Sequence, residues 1–172
     1  MLAMPQLSLC LLGTFRADLD GEPITDFATD KVQSLLAYLT VEAGRVHRRD
    51  GLADLFWSEA SRKNALRSLR QALYQLRRAL GEHDEPSTPE ASNPHAYFLR
   101  IDRQTIQFTA ESDHWVDVSA FSSLAEACAK HRHRHRATCL PCLQRMERMV
   151  ALYEGEFLQG FSGDVSPVFE EW

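Results

Sequence analysis

No stretch of roughly 18 consecutive apolar residues occurs in this 172-residue sequence, so nothing in it reads as a membrane-spanning helix. Cysteine is scarce, with four residues, too few for a small disulfide-stapled scaffold. A positive charge surplus is also lacking. The chain has 19 Lys and Arg against 24 Asp and Glu, a formal net charge of −5, which taken alone argues against nucleic acid as a partner. The apolar run at 7–12 is short, no Lys or Arg precedes Arg16, and no small-residue cleavage site follows, so the start does not read as a signal peptide. There is no Gly-rich phosphate loop, no Gly-x-Ser-x-Gly elbow and no carboxylate pair with a plausible cleft. The seven His lack a nucleophile and an orienting acid at readable spacing. An enzyme is therefore not expected, nor is an organic cofactor. A hydrophobic content of 44% is enough for a real core and excludes a disordered chain. The expected setting is cytoplasmic and nucleoid-associated, with reduced thiols and no membrane contact.

Leu7, Leu9 and Leu11, then Phe15, Ala17 and Leu19, recur at period two. Asp20-Gly21 supplies a tight turn, so a small antiparallel sheet is expected at the N-terminus. A helix capped by Thr29 or Asp30 follows, with Val32, Leu35, Leu36 and Leu39 inward and Gly44 as its stop. A second helix is expected at about 49–57 and a third at about 61–80, ended by Gly81. After a Pro-, Ser- and Glu-rich loop between Gly81 and Pro94, read as mobile, the stretch 97–108 predicts a hairpin. Helical periodicity returns beyond Ser112, first at Phe121, Leu124, Ala125 and Cys128, then at Leu143, Met146, Val150 and Tyr153. The expected units are 1–110 and 111–172.

The third helix carries the clearest chemistry. Leu66, Leu69, Leu73, Leu76 and Leu80 form one stripe, and Arg67, Gln71, Tyr74 and Arg78 fall on the opposite side, flanked by Lys63, Arg70 and Arg77. Between positions 45 and 78 there are nine Lys and Arg against three acids, a surplus of six positive charges inside an acidic protein. Arg and Gln make bidentate contacts to guanine and adenine edges, and Lys and Arg neutralise phosphates. A solvated helix face is the bland alternative. It is weakened because positions 62–80 contain no acid to form i,i+4 ion pairs with these arginines. Two short helices before and a hairpin after complete the layout of a winged helix-turn-helix. In that layout Lys63, Asn64, Arg67, Gln71 and Tyr74 face the major groove. Arg70, Arg77, Arg78, Arg100 and Arg103 touch phosphate or the minor groove.

Several motifs carry a family resemblance: Leu9-Cys10-Leu11-Leu12-Gly13-Thr14-Phe15, Asp20-Gly21-Glu22-Pro23, Leu35-Leu36-Ala37-Tyr38-Leu39, Leu52-Ala53-Asp54-Leu55-Phe56-Trp57 and Asn64-Ala65-Leu66-Arg67-Ser68-Leu69-Arg70-Gln71-Ala72-Leu73. Trp115-Val116-Asp117-Val118-Ser119-Ala120-Phe121, Ala151-Leu152-Tyr153-Glu154-Gly155-Glu156-Phe157-Leu158 and Phe169-Glu170-Glu171-Trp172 continue it. The chain resembles the Streptomyces antibiotic regulatory proteins and their relatives. The resemblance implies an α+β OmpR-type winged helix (small antiparallel sheet, three helices, hairpin wing) followed by the all-α, tetratricopeptide-like opening of a bacterial transcriptional activator domain. It also implies a regulator, an activator, that binds double-stranded DNA at direct repeats as head-to-tail pairs, a homodimer on DNA, and contacts RNA polymerase. Where such proteins have more basic residues before the first helix, this chain has Ala28-Thr29-Asp30-Lys31, and the activator domain of the family continues past the position of Trp172. A protein-interaction module with a vestigial winged helix is the alternative function.

One cluster lies outside that layout. Cys128-x-x-His131 and Cys139-x-x-Cys142 have the spacing of a tetrahedral Cys₃His set for a structural zinc ion, with His133 or His135 as alternatives to His131. Competing readings are small buried apolar thiols, a solvated His-Arg loop and a redox Cys-x-x-Cys pair. Cys10 reads as packing only.

Overall fold

The computed structural model describes residues 5–82, 98–132, 138–161 and 166–172. Alternating leucines turn one face of strand β1 (Leu7–Cys10) inward, and Leu7, Leu9 and Leu11 have no exposed surface. β2 (Arg16–Leu19) pairs antiparallel with it, Leu9 opposite Ala17, and β3 (Glu22–Pro23) closes the edge. Asp20 and Gly21 both have positive φ, 54° and 83°, as a two-residue hairpin turn that follows the strand twist requires.

Helix α1 (Asp30–Val41) buries Val32, Leu35, Leu36 and Leu39. α2 (Arg49–Phe56) buries Leu52, Ala53 and Phe56, and α3 (Arg62–Ala79) buries Ala65, Leu69, Ala72, Leu73 and Leu76. α3 packs on both earlier helices, so its leucine stripe is the floor of the core. Between α1 and α2 runs a strand that sequence periodicity does not predict, β4 (Val46–Arg48). Three residues are too short for alternation to register. β4 pairs with β6 (Thr105–Phe108), which pairs with β5 (Leu99–Ile101), giving a three-stranded sheet in the order β4-β6-β5. The expected hairpin is thus present with a third strand beside it. The loop expected between Gly81 and Pro94 lies, from residue 83 on, outside the described residues.

Beyond Ser112 the chain returns to the first sheet before turning helical. β7 (His114–Val116) lies parallel to β1, and the sheet order is β3-β2-β1-β7. α4 (Asp117–Lys130) and α5 (Leu140–Leu152) pack on each other. A short α6 (Pro167–Glu171) starts at Ser166, whose hydroxyl accepts from Phe169 N and donates to the Leu55 carbonyl. Leu158 and Phe169 join the core formed by α1–α3 and the sheets. The architecture is α+β, a winged helix with two small sheets plus a helical region.

Candidate nucleic-acid interface

Because α3 buries Ala65, Leu69, Ala72, Leu73 and Leu76, the positions on its opposite side point outward. Lys63, Asn64, Arg67, Arg70, Gln71 and Arg78 are exposed, and Tyr74 is 52% exposed. These seven side chains form one polar, acid-free surface on a rigid helix. Ser68 and Gln75 between them are half-buried, so the surface is a row with shallow sides. Arg62, at the helix start, forks onto Asp50 Oδ1 at 3.0 and 3.2 Å and ties α3 to α2.

Arg77 differs from the sequence reading. Its side chain is 30% exposed, and its Nε lies 3.6 Å from Glu82 Oε2. Glu82, whose side chain is 4% exposed, also accepts the backbone N–H groups of Phe98 at 2.6 Å and Leu99 at 3.2 Å. Burial pushes the Glu82 carboxyl above the usual carboxylate range; the two backbone donors and Arg77 oppose that shift. Arg77 and Glu82 therefore fix the first wing strand to the end of α3. Sequence periodicity could not find this latch, because Glu82 lies past the helix and its burial is tertiary.

The wing turn is held from the other side. Arg49 donates through its backbone N to the Gln104 carbonyl at 2.9 Å and through Nε to the Asp102 carbonyl at 3.0 Å. Gln107 Nε2 donates to the Gly44 carbonyl at 2.6 Å. Arg100 and Arg103 remain exposed on this braced hairpin. Wing and helix are thus presented as a preformed pair.

At the base of the wing His47, on β4, is 8% exposed, packs against the Tyr38 ring at 5.2 Å, and its Nε2 has no hydrogen-bond partner among the described residues. Burial first, then the nearby Arg45 guanidinium, holds its pKa below the ordinary value, with Glu42 opposing. An unfolded chain takes up this proton below about pH 6.5, whereas the native state refuses it until lower pH. Stability from His47 is therefore present above that value and lost as pH falls through the window beneath it. Comparison of urea midpoints for the parent chain and His47→Phe between about pH 7 and about pH 5 isolates this effect. The parent's advantage should shrink towards the acid end, and a difference flat with pH would refute the assignment.

The second cluster joins α4 to α5. His131 Nδ1 lies 3.1 Å from Cys142 Sγ and 3.4 Å from Cys139 Sγ. The three donor atoms all fall within 4.8 Å of one another. Cys128, expected among the ligands, stands outside this group: its thiol is buried and directed at the Cys142 carbonyl, 3.8 Å away. Cys128 lies in the last turn of α4, which aims its thiol at backbone, whereas His131 is the extended C-cap residue and reaches the thiols of α5. His133 and His135 lie outside the described residues. Cys10 is half-buried on β1.

Comparison with known proteins bears on the helix-and-wing unit. Residues 27–97 match the family described as "Transcriptional regulatory protein, C terminal". No curated protein matches the chain. Among solved structures, Mycobacterium tuberculosis EmbR in complex with a low-affinity phosphopeptide is similar, with a TM-score of 0.63 and 20% identity. The similarity covers 90% of this chain and 38% of that one, so this chain spans well under half of its length. At 90% of this chain the likeness extends past the winged helix into the helical region, and at 20% identity it is a likeness of fold. The family match is to a regulatory domain. Residues 27–97 thus resemble the domain described as "Transcriptional regulatory protein, C terminal", a match to less than half of the chain.

Proposed function

We propose that the chain is a sequence-specific DNA-binding transcription regulator, acting as an activator. The observation that carries this reading is the acid-free row on α3, in which Lys63, Asn64, Arg67, Gln71 and Tyr74 are exposed together on the face opposite the leucines. A helix of this width fits the major groove, where Arg67 and Gln71 have the donor geometry to read guanine and adenine edges. Arg70 and Arg78 at the sides of the row, and Arg100 and Arg103 on the wing, neutralise phosphates or enter the minor groove. Arg77 acts indirectly in this scheme, by holding the wing through Glu82.

In this reading residues 1–110 are the DNA-binding unit and 111–172 the opening helices of a tetratricopeptide-like activator domain, tied back by β7. Two copies bind direct repeats head to tail, and RNA polymerase is the partner of the activating surface. The cytoplasm, on the nucleoid, is the corresponding location. A second reading, a protein-interaction module, draws on α5, where Leu140 is 64% and Val150 75% exposed.

Selection from a random-sequence DNA pool, followed by salt titration, separates the two. Arg67→Ala should relax sequence preference and cost about 1–3 kcal/mol. Arg78→Ala should weaken all sequences alike and reduce the salt slope by about one. No enriched sequence together with no salt dependence would overturn DNA binding and leave the interaction module.

A further inference from the structure

The thiol and imidazole cluster between α4 and α5 has no role in the DNA-binding scheme. We propose that His131, Cys139 and Cys142 bind one zinc ion that staples the end of α4 to the start of α5.

Geometry is the first support. Zinc takes sulfur at about 2.3 Å and imidazole nitrogen at about 2.0–2.1 Å, so the sulfur–nitrogen edge of a tetrahedral site is about 3.6 Å. The two edges here, 3.1 and 3.4 Å, are within half an ångström of that length, and the same nitrogen, Nδ1, faces both thiols. Shifts of a few tenths of an ångström open the centre to an ion, and a fourth ligand such as water completes the tetrahedron. Two thiolates with one imidazole are soft and borderline donors, which favour zinc over magnesium or calcium. Among the described residues no carboxylate belongs to the group.

Packing is the second, independent support. Along α4 the buried side chains are Asp117 at its start and Cys128; along α5 there is only Cys142. Leu140 is 64% exposed, and Leu143 and Met146 nearly two-fifths exposed, so apolar burial does little to hold this pair of helices together. A metal crosslink supplies what the interface lacks, in the manner of small domains with too little core. Cys139 is the N-cap residue of α5 and Cys142 lies in its first turn, so one rigid helix start presents both sulfurs. Arg145 adds positive charge, with Nη1 3.8 Å from Cys142 Sγ. Binding would release the thiol protons to solvent as the two sulfurs become ligands.

The test uses the full chain, purified under reductant and stripped with chelator, with cobalt(II) as the optical probe. Thiolate-to-cobalt charge-transfer absorption with tetrahedral d–d bands should grow to one equivalent, and one equivalent of zinc(II) should bleach it. Cys139→Ser, at a partly exposed helix cap, and His131→Ala should each weaken zinc at least about tenfold while far-UV circular dichroism still reports the winged helix. Cys10→Ser should bind as the parent does. Amide exchange should quicken in α4 and α5 after zinc removal and stay unchanged in α3. Octahedral cobalt spectra, or zinc affinity unaltered by Cys139→Ser, would overturn the proposal. So would recovery of a Cys139–Cys142 disulfide in a chain that takes no zinc when reduced.

Discussion

Alanine at Phe56 is expected to destabilise the whole fold by about 3–5 kcal/mol, the range for removing a fully buried aromatic ring. Phe56 is 1% exposed and sits where three segments of the chain meet. Its ring packs edge-on against Tyr38 of α1 at 5.9 Å, near Trp57 at 6.0 Å, and against Phe169 of α6 at 5.0 Å. Trp172 extends the cluster, 4.8 Å from Tyr38 and 5.4 Å from Phe169. Such pairs contribute about 0.5–1.5 kcal/mol each beyond area burial, so the loss should lie towards the top of the range. Urea denaturation should show a lower midpoint with an unchanged slope. Phe169→Ala should lower the same cooperative transition, and the double variant should lose less than the two single losses combined, because the rings share one contact. If Phe169→Ala left the transition of the winged helix untouched, α6 would not be part of this core. A loss at Phe56 below about 1 kcal/mol would contradict the packing itself.

That contact also shows where sequence reading stops. Helices α1, α2 and α3 were legible because their apolar positions repeat at helical spacing and Gly44 and Gly81 end the runs before them, each with positive φ. The hairpin of β5 and β6 was legible because Arg100 to Phe108 alternates around a polar turn. Neither β4 nor β7 was, since three residues carry no readable period and their partners, Ile106 and Leu9 among them, are far away in sequence. Phe169 falls in the same class: nothing local says that a residue beyond α5 fills a gap beside Phe56. Within the candidate interface, exposure of Arg67, Gln71 and Tyr74 follows from periodicity alone, because burying the leucines leaves those positions no other direction. The inward turn of Arg77 does not follow, because it depends on a carboxylate buried by the wing. Of the thiols and imidazole that spacing grouped, the fold brings His131, Cys139 and Cys142 together, whereas Cys128 is turned towards a carbonyl.

Asp117 should prove the most costly polar side chain to remove. It is 3% exposed at the junction of β7 and α4. Its Oδ2 accepts the backbone N–H groups of Leu11 at 2.7 Å and Leu12 at 2.8 Å, and its Oδ1 accepts that of Val118 at 2.7 Å. Leu11 and Leu12 lie where β1 ends and the chain leaves the ladder, so these donors have no strand to bond with. Asp117→Ala leaves both donors without this acceptor, at about 1–3 kcal/mol for the buried Leu11 N–H and less for the part-buried Leu12 N–H. Asp117→Asn separates charge from hydrogen bonding. One amide oxygen can still take both N–H groups, but its NH₂ then confronts the Val118 donor, so the loss should be smaller than for alanine and larger than zero. Hydrogen exchange gives the site-specific readout: the Leu11 and Leu12 amides should be protected in the parent and exchange faster in Asp117→Ala than in Asp117→Asn. Equal stability of the alanine variant and the parent, with both amides still protected, would show that another acceptor serves β1. Because α4 begins at this carboxylate while β1 lies in the core shared with α3, the loss should appear in the global transition and not as local fraying of α4 and α5.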